Sequence, residues 1–206
     1  MATQTPILSE SCFLLHLPER LRQMSEDEFF EFCVLNRDLR IERTAEGEIV
    51  IMPPAGSETG GSNLEIAGQL RDWAKFDGTG KGFDSNAGFT LPSGAVYAPD
   101  ASWILKSRWK SLLKADRRRF AHICPDFVIE LKSPSDSVSF LQSKVEEYVA
   151  NGARLGWLID PDRRVVYVYR PSRAVVMLEG ISSVSADPEL PGFTLELGEI
   201  FDPDAE

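Results

Sequence analysis

Apolar positions recur with helical spacing in several stretches of the chain. Ser25 and Glu28 form a capping-box pattern, which marks the start of a first helix. Leu64 and Leu70 belong to the apolar stripe of a second, and Asn151-Gly152 ends a third. The pattern predicts helices over about 24–36, 62–76 and 138–151, with a shorter one near 107–114.

Apolar runs bounded by glycine, proline and aspartate predict the strands. Two hairpins are expected, one joined by Ala45-Glu46-Gly47 and one across Pro161 to Arg164. The predicted strands cover 39–44, 48–52, 83–91, 96–105, 127–132, 155–160, 165–169 and 175–178. Helices alternate with strands, so the fold class is α/β, a central mixed β-sheet flanked by α-helices.

The length of 206 residues suits one domain with short extensions. We predict an irregular N-terminal arm over 1–23, a single domain over 24–201 and a tail over 202–206, and expect the segment after the last strand to be mostly loop. Hydrophobic residues make up 43% of the chain, enough for a full core.

The net charge of −10 gives the protein no overall attraction to nucleic acid or to anionic lipid. Any contact with nucleic acid must therefore come from a local basic patch. Three scattered cysteines predict a reducing, cytoplasmic setting without disulfides. Two histidines and no Cys-x-x-Cys pair argue against zinc, and no signal segment or membrane-spanning run is expected.

Three charged residues interrupt the strongly apolar predicted strands. Asp100 lies among small and apolar neighbours, and Glu130 and Lys132 occupy alternate positions of the strand that begins at Phe127. Because strand side chains alternate between faces, Glu130 and Lys132 are expected on the same face. Buried charges are costly unless they pair or bind a metal, so either a structural ion pair or a metal site is indicated.

Two carboxylates and one ammonium suit the hydrolysis of phosphodiesters. Mg²⁺ prefers oxygen ligands and keeps several waters, so that one or two carboxylates are enough to hold it. The ion can activate water and neutralise charge on a phosphate. A lysine beside it can orient the attacking water or stabilise negative charge.

The same residues carry a family resemblance. Pro99-Asp100, followed thirty residues later by Glu130-Leu131-Lys132, resembles the PD-(D/E)xK nuclease motif. The longer strings 124–136 and 152–160 are similar to the Uma2 family of restriction endonucleases, and the similarity runs from about Glu28 to Phe201. The resemblance implies a restriction-endonuclease-like fold, Asp100 and Glu130 as ligands of Mg²⁺ (with Mn²⁺ as substitute), and Lys132 as the catalytic lysine.

A second lysine competes for the catalytic role. Many family members carry an apolar residue at the position of Lys132. Lys144 shares a helical face with Leu141 and Tyr148. The spacing Lys144-x-x-x-Tyr148 resembles the Gln-x-x-x-Tyr element of RecB-like nucleases, although a lysine that reaches from the edge of the stripe to solvent is equally consistent. Both lysines stay candidates.

Further acidic residues are weaker candidates. Glu65 lies near the start of the 62–76 helix, where related nucleases often supply an acidic ligand, so that it is a third candidate for the metal site. A solvated charge that favours the helix N-terminus is the alternative. Glu58 precedes that helix, and Asp126 lies roughly 13 Å along the strand from Glu130.

Residues 106–119 form a basic segment in a chain whose net charge is negative. It follows the Asp100 strand and contains one acidic residue, Asp116. The segment is expected to form a surface that contacts phosphates beside the metal site. Alternatively, it is a solvated surface whose charges balance acidic neighbours. The nucleic-acid-binding candidates are Arg108, Lys110, Lys114, Arg117, Arg118 and Arg119.

Together these features predict a Mg²⁺-dependent DNA endonuclease. The alternatives are a non-catalytic nucleic-acid-binding or regulatory protein on the same fold, and a metal-dependent hydrolase of another phosphate ester. A homodimer is possible by analogy with nucleases that cut both strands, but the sequence identifies no interface.

Overall fold

The computed structural model describes residues 13–203. The α-helices are α1 (Glu19–Arg22), α2 (Glu26–Leu35), α3 (Ser57–Asp77), α4 (Lys106–Ser111), α5 (Val138–Ala150) and α6 (Gly198–Phe201), with a 3₁₀ turn at Asp116–Arg118. The strands are β1 (Phe13–Leu15), β2 (Arg40–Arg43), β3 (Ile49–Met52), β4 (Gly80–Asp84), β5 (Phe89–Thr90), β6 (Val96–Tyr97), β7 (Ala101–Leu105), β8 (Ala121–His122), β9 (Phe127–Leu131), β10 (Leu155–Asp160), β11 (Val165–Tyr169), β12 (Val176–Glu179), β13 (Ser183–Ser185) and β14 (Thr194–Glu196).

A six-stranded mixed sheet forms the centre of the molecule, in the order β12-β11-β10-β9-β7-β4. The strands β9 and β10 run parallel, with Glu130 opposite Leu158, and the other neighbours are antiparallel. Every residue of β9, β10 and β11 is buried, which explains why these segments are continuous apolar runs rather than alternating ones. The predicted α/β class with a central mixed sheet is confirmed.

Helices cover both faces of the central sheet. On one face, Ile66 and Leu70 of α3 pack against Trp103, Phe127 and Trp157. On the other face, α5 packs against β10 and β11 through an apolar stripe that its sequence shows, namely Leu141, Val145 and Tyr148. The strand pair β7 and β9 is therefore enclosed by helices on both sides.

A second six-stranded sheet, in the order β1-β3-β2-β6-β5-β8, lies against the central one. Its Tyr97 and Phe89 share a buried cluster with Ile104, Val128 and Tyr148, so that this sheet contacts α5 as well as the central strands. Its β2-β3 hairpin confirms the first predicted hairpin. The sequence did not predict that this hairpin belongs to a separate sheet.

Several boundaries differ from the prediction. α3 begins at Ser57 and continues through Gly60 and Gly61, where a loop was expected, because no side-chain packing is needed at this exposed first turn. The segment after β12 is mostly loop, as expected, but it also contains the short elements β13, β14 and α6, and it buries Phe193 and Leu195 against the α3 side of the core.

The expected irregular arm is wrong for residues 13–15, which pair with β3 as strand β1. The expectation is also wrong for residues 19–22, which form α1, and residues 1–12 lie outside the described residues. In the described part of the chain, no helix is both long enough and apolar enough to cross a membrane.

Candidate metal and catalytic site

Asp100, which directly precedes β7, and Glu130 of the neighbouring strand β9 lie at one end of the central sheet. Ala101 pairs with Ile129 in the antiparallel β7-β9 ladder, so the preceding Asp100 comes next to Glu130. The Oδ2 atom of Asp100 accepts a hydrogen bond of 2.8 Å from the backbone N–H of Leu131. Both carboxylates line the same open pocket of about 540 Å³. The expectation that the two residues share one cluster is confirmed.

Lys144 of α5 brings a buried ammonium group to these carboxylates. Its side chain is 3% exposed, and its Nζ atom lies 2.9 Å from Oε1 of Glu130. The same Nζ donates a hydrogen bond of 2.9 Å to Oε1 of Glu42, on strand β2 of the second sheet. Lys144 therefore points into the pocket, and the alternative of a lysine that reaches solvent is wrong.

Two residues of β2 complete the cluster. Arg40 and Glu42 are two positions apart, and both reach the segment that precedes β7. The Nη2 atom of Arg40 donates to the carbonyl of Ala98 at 2.9 Å and lies 3.5 Å from Oδ1 of Asp100. Oε1 of Glu42 accepts from the backbone N–H of Ala98 at 2.8 Å. The second sheet thus holds the backbone directly before Asp100.

The electrostatics of this cluster follow from its burial. Burial raises the pKa of Asp100 against the opposing charge of Arg40. Burial also raises the pKa of Glu130, and the charges of Asp100 and Glu42 add to this effect. Burial disfavours the ammonium of Lys144, but the carboxylates of Glu130 and Glu42 together outweigh it and raise its pKa. Both candidate ligands therefore hold their protons more strongly than in water.

The charges of the cluster do not balance. The three carboxylates of Asp100, Glu130 and Glu42 face two cations, Arg40 and Lys144, which leaves one negative charge when all five are ionised. The Oε1 atom of Glu130 makes no hydrogen bond within the described residues, despite its closeness to Lys144. A proton or an added cation would restore the balance.

The donor set fits Mg²⁺ better than a soft metal. Among the described residues, no group of three or more His, Cys, Asp and Glu side chains is arranged to hold an ion. Mg²⁺ does not need such a group, because it is held by one or two carboxylates and retains several waters. Asp100 and Glu130 border an open pocket that can admit these waters.

The expected position of Lys132 is wrong. Strand β9 ends at Leu131, so the alternation that placed Lys132 beside Glu130 does not continue. The Nζ atom of Lys132 donates to Oδ2 of Asp162 at 2.7 Å and to the carbonyl of Ser133. Lys132 lines a separate pocket beside α6, and it is not among the residues that border Asp100 and Glu130.

The structure also does not bring Glu65 to the two carboxylates. The side chain of Glu65 accepts a hydrogen bond from Gln69, which contacts the backbone of Glu196 on β14. Glu58, one turn before the expected helix start, lines the pocket instead. The amide of Asn63 lies 3.5 Å from Oδ1 of Asp100. The early start of α3 moves these polar positions to the pocket.

The basic segment lies at the opposite end of the central sheet. Asp100 precedes β7 whereas the basic segment follows it, so that the two are separated by about 15–20 Å of extended chain. None of its residues lines the pocket that contains Asp100 and Glu130. The expectation of a basic surface beside the metal site is therefore wrong in its placement.

Several side chains of this segment serve the fold. Arg108 pairs with the buried carboxylate of Asp126 at 2.9 Å. Arg117 donates to the carbonyls of Lys110 and Leu112, and Arg119 pairs with Asp27. The exposed candidates are Lys110, Lys114, Arg118 and Arg119. A role for the segment in DNA binding stays a prediction.

Arg40 and Glu42 were missed by the sequence interpretation. In the sequence they read as the polar face of a hairpin, with Ile41 between them on the apolar face. Nothing in the local pattern showed that this polar face would be buried against another sheet. One signal in the sequence could have indicated the role of Glu42. It is a carboxylate in the first hairpin of a chain that also carries a nuclease motif.

The chain is similar to known families and structures. The family model of Uma2, described as "Putative restriction endonuclease", matches residues 26–198. No curated protein matches the chain. Among solved structures, the chain is similar to the crystal structure of a "putative nuclease belonging to DUF820" from Anabaena variabilis ATCC 29413, with a TM-score of 0.71 and 22% identity, over 86% of this chain and 97% of that one. This likeness supports the fold, while the family match covers most of the chain.

Proposed function

We propose that this chain, which belongs to the Uma2 family, is a Mg²⁺-dependent endonuclease that hydrolyses phosphodiester bonds in DNA. The family description supports a nuclease. Metal dependence and the choice of DNA rest on the chemistry of the pocket and on the term restriction endonuclease in that description.

The proposed roles follow the contacts in the pocket. Asp100 and Glu130 would hold Mg²⁺, or Mn²⁺ in its place, because their carboxylates border the open pocket from adjacent strands. The bound ion supplies charge neutralisation on the phosphate and a more acidic water. Lys144 stabilises the negative charge that develops on the phosphate, and Arg40 binds phosphate oxygens at the pocket rim.

The observation that carries this proposal is a buried cluster in which three carboxylates face two cations, so that one carboxylate needs a proton or a further cation. A purely structural network would be expected to pair each buried charge. Here Asp100, Glu130 and Glu42 exceed Arg40 and Lys144 by one charge, beside a pocket that is open to solvent. A divalent cation between Asp100 and Glu130 would relieve this excess.

The experiment is cleavage of plasmid DNA by the purified protein with Mg²⁺ or Mn²⁺. We expect Asp100→Asn and Glu130→Gln each to lower the rate by about 100-fold or more, since each removes a metal-binding charge. Asp72→Asn is the matched control, because Asp72 is an exposed carboxylate of α3 that contacts Arg71 outside the pocket. Cleavage at the wild-type rate by either pocket variant would contradict the assigned roles.

The same experiment separates the alternatives. DNA binding without cleavage at any metal concentration would favour the non-catalytic nucleic-acid-binding protein. Hydrolysis of RNA or of small phosphodiesters, with DNA left intact, would favour a hydrolase of another phosphate ester.

A further inference from the structure

Glu42 is a buried carboxylate that the proposed metal site does not require. Its residue is 1% exposed, and it reaches the site from the second sheet, 102 positions before Lys144 in the chain. One oxygen, Oε1, accepts hydrogen bonds both from Lys144 and from the backbone of Ala98. The other oxygen, Oε2, makes no hydrogen bond within the part of the chain that the structure describes.

The two carboxylates around Lys144 contact its ammonium in different ways. The Nζ atom lies 2.9 Å from Glu42 and 2.9 Å from Glu130. The contact with Glu42 is a hydrogen bond, and the contact with Glu130 is an ion pair of the same length with less favourable hydrogen-bond geometry. Lys144 therefore has two buried carboxylate partners, and Glu42 can keep its ammonium paired when Glu130 binds another cation.

A lysine that paired with Glu130 alone would compete with a metal ion for the same carboxylate. When Glu130 acts as a metal ligand, its negative charge is shared with the ion, and the buried ammonium needs another partner. Glu42 is placed to be that partner, because it already accepts a hydrogen bond from Lys144.

The hydrogen bond from the backbone of Ala98 holds the carboxylate of Glu42 in position beside Lys144. Glu42 accepts from the N–H of Ala98, and Arg40 donates to the carbonyl of the same residue, two positions before Asp100. Strand β2 therefore positions the Asp100 segment and the Lys144 ammonium together. A role in packing alone would not explain a carboxylate here, because its second oxygen is buried without a hydrogen-bond partner among the described residues.

We infer that Glu42 is a positioning residue that holds the ammonium of Lys144 in the pocket and keeps the carboxylate of Glu130 free to bind a divalent cation. This inference rests on the proposed function. The second sheet then contributes to the site by positioning Lys144, although the proposed metal ligands lie at one end of the central sheet.

The first test is Glu42→Gln, which removes the charge but leaves an oxygen that can accept from Ala98. Lys144 then pairs with Glu130 alone, so we expect the affinity for Mn²⁺, measured by calorimetry, to fall about tenfold. In DNA cleavage, kcat falls by a similar factor while KM is unchanged. The matched control is Glu46→Gln in the exposed turn of the same hairpin, for which we expect wild-type values.

A double-mutant cycle distinguishes positioning from a merely structural role. If Glu42 acts through Lys144, then Glu42→Gln lowers kcat in the wild type but causes no further loss on a Lys144→Met background. An equal loss on both backgrounds would overturn the inference. Circular dichroism and thermal unfolding check that each variant folds. Should the Gln variant fail to fold, Glu42→Asp retains the charge one methylene further away, and we expect a smaller loss of Mn²⁺ affinity in the same direction.

The outcomes separate the inference from the proposed function. If the wild type neither binds Mn²⁺ nor cleaves DNA, the proposed function fails and the inference falls with it. If the wild type does both, and Glu42→Gln matches it in Mn²⁺ affinity and in kcat, the inference alone is overturned.

Discussion

At the scale of single residues, the identity of the lysine decides how the site works. Lys144 is buried between two carboxylates that belong to different sheets, while Lys132 forms an ion pair with the exposed Asp162. A buried charge stabilises a developing negative charge better than a charge in water does, because solvent screens it less. The ammonium of Lys144 has this environment, and that of Lys132 points elsewhere.

The two lysines predict opposite results on substitution. Lys144→Met should lower kcat for DNA cleavage by about 100-fold or more, because it removes a preorganised charge from the pocket. Lys132→Met should change kcat by less than about threefold, because an ion pair with an exposed partner contributes little. Single-turnover cleavage of a labelled duplex measures both. A large loss for Lys132→Met with normal cleavage by Lys144→Met would reverse the assignment.

At the scale of elements, the sequence predicted what local periodicity and burial determine. The structure confirms several predicted elements, because each is long or has a strong pattern of apolar residues. They are the two hairpins, α2 with its Ser25 cap, α5 and the apolar strand β9. The placement of Lys132 failed at a strand end, where alternation stops. The second sheet could not be predicted, because β5, β6 and β8 are two residues each and pair only through distant chain segments.

The same limit applies to the candidate site. Asp100 and Glu130 could be identified because charged residues within apolar strands are unusual. Arg40 and Glu42 could not, because their burial depends on the docking of one sheet on another. The basic segment was misplaced because adjacency in sequence was taken as adjacency to Asp100, although a full strand separates them.

Arg108 of the basic segment stabilises the fold, and its contribution to the free energy of unfolding can be measured. Arg108 in α4 is the ion-pair partner of the buried Asp126, whose other oxygen accepts from the N–H of Leu105. Arg108→Ala should lower the free energy of unfolding by about 1–3 kcal/mol, because a buried carboxylate loses its partner. Urea denaturation measures the change. Lys110→Ala, at an exposed position of the same helix, is the control and should stay within about 0.5 kcal/mol of the wild type. Equal stability of the two variants would contradict the role given to Arg108.

At the scale of the whole molecule, the pocket lies where two sheets and two helices meet. The central sheet supplies Glu130 and the preceding Asp100, α5 supplies Lys144, and the second sheet supplies Arg40, while Glu42 of the second sheet contacts Lys144. Such a site forms only when the sheets are docked, so its buried charges are assembled by the complete fold rather than by one motif. A homodimer that presents two such pockets to two DNA strands stays a prediction.

The proposed metal site can be tested with a crystal of the wild type soaked with Mn²⁺, with diffraction recorded at a wavelength where manganese scatters anomalously. We expect an anomalous peak between the carboxylates of Asp100 and Glu130, at about 2.0–2.2 Å from an oxygen of each. We also expect Lys144 to keep its hydrogen bond to Glu42 in the soaked crystal. A pocket without an anomalous peak at saturating Mn²⁺, or a peak bound by other residues, would contradict the central claim that this buried cluster is a metal site.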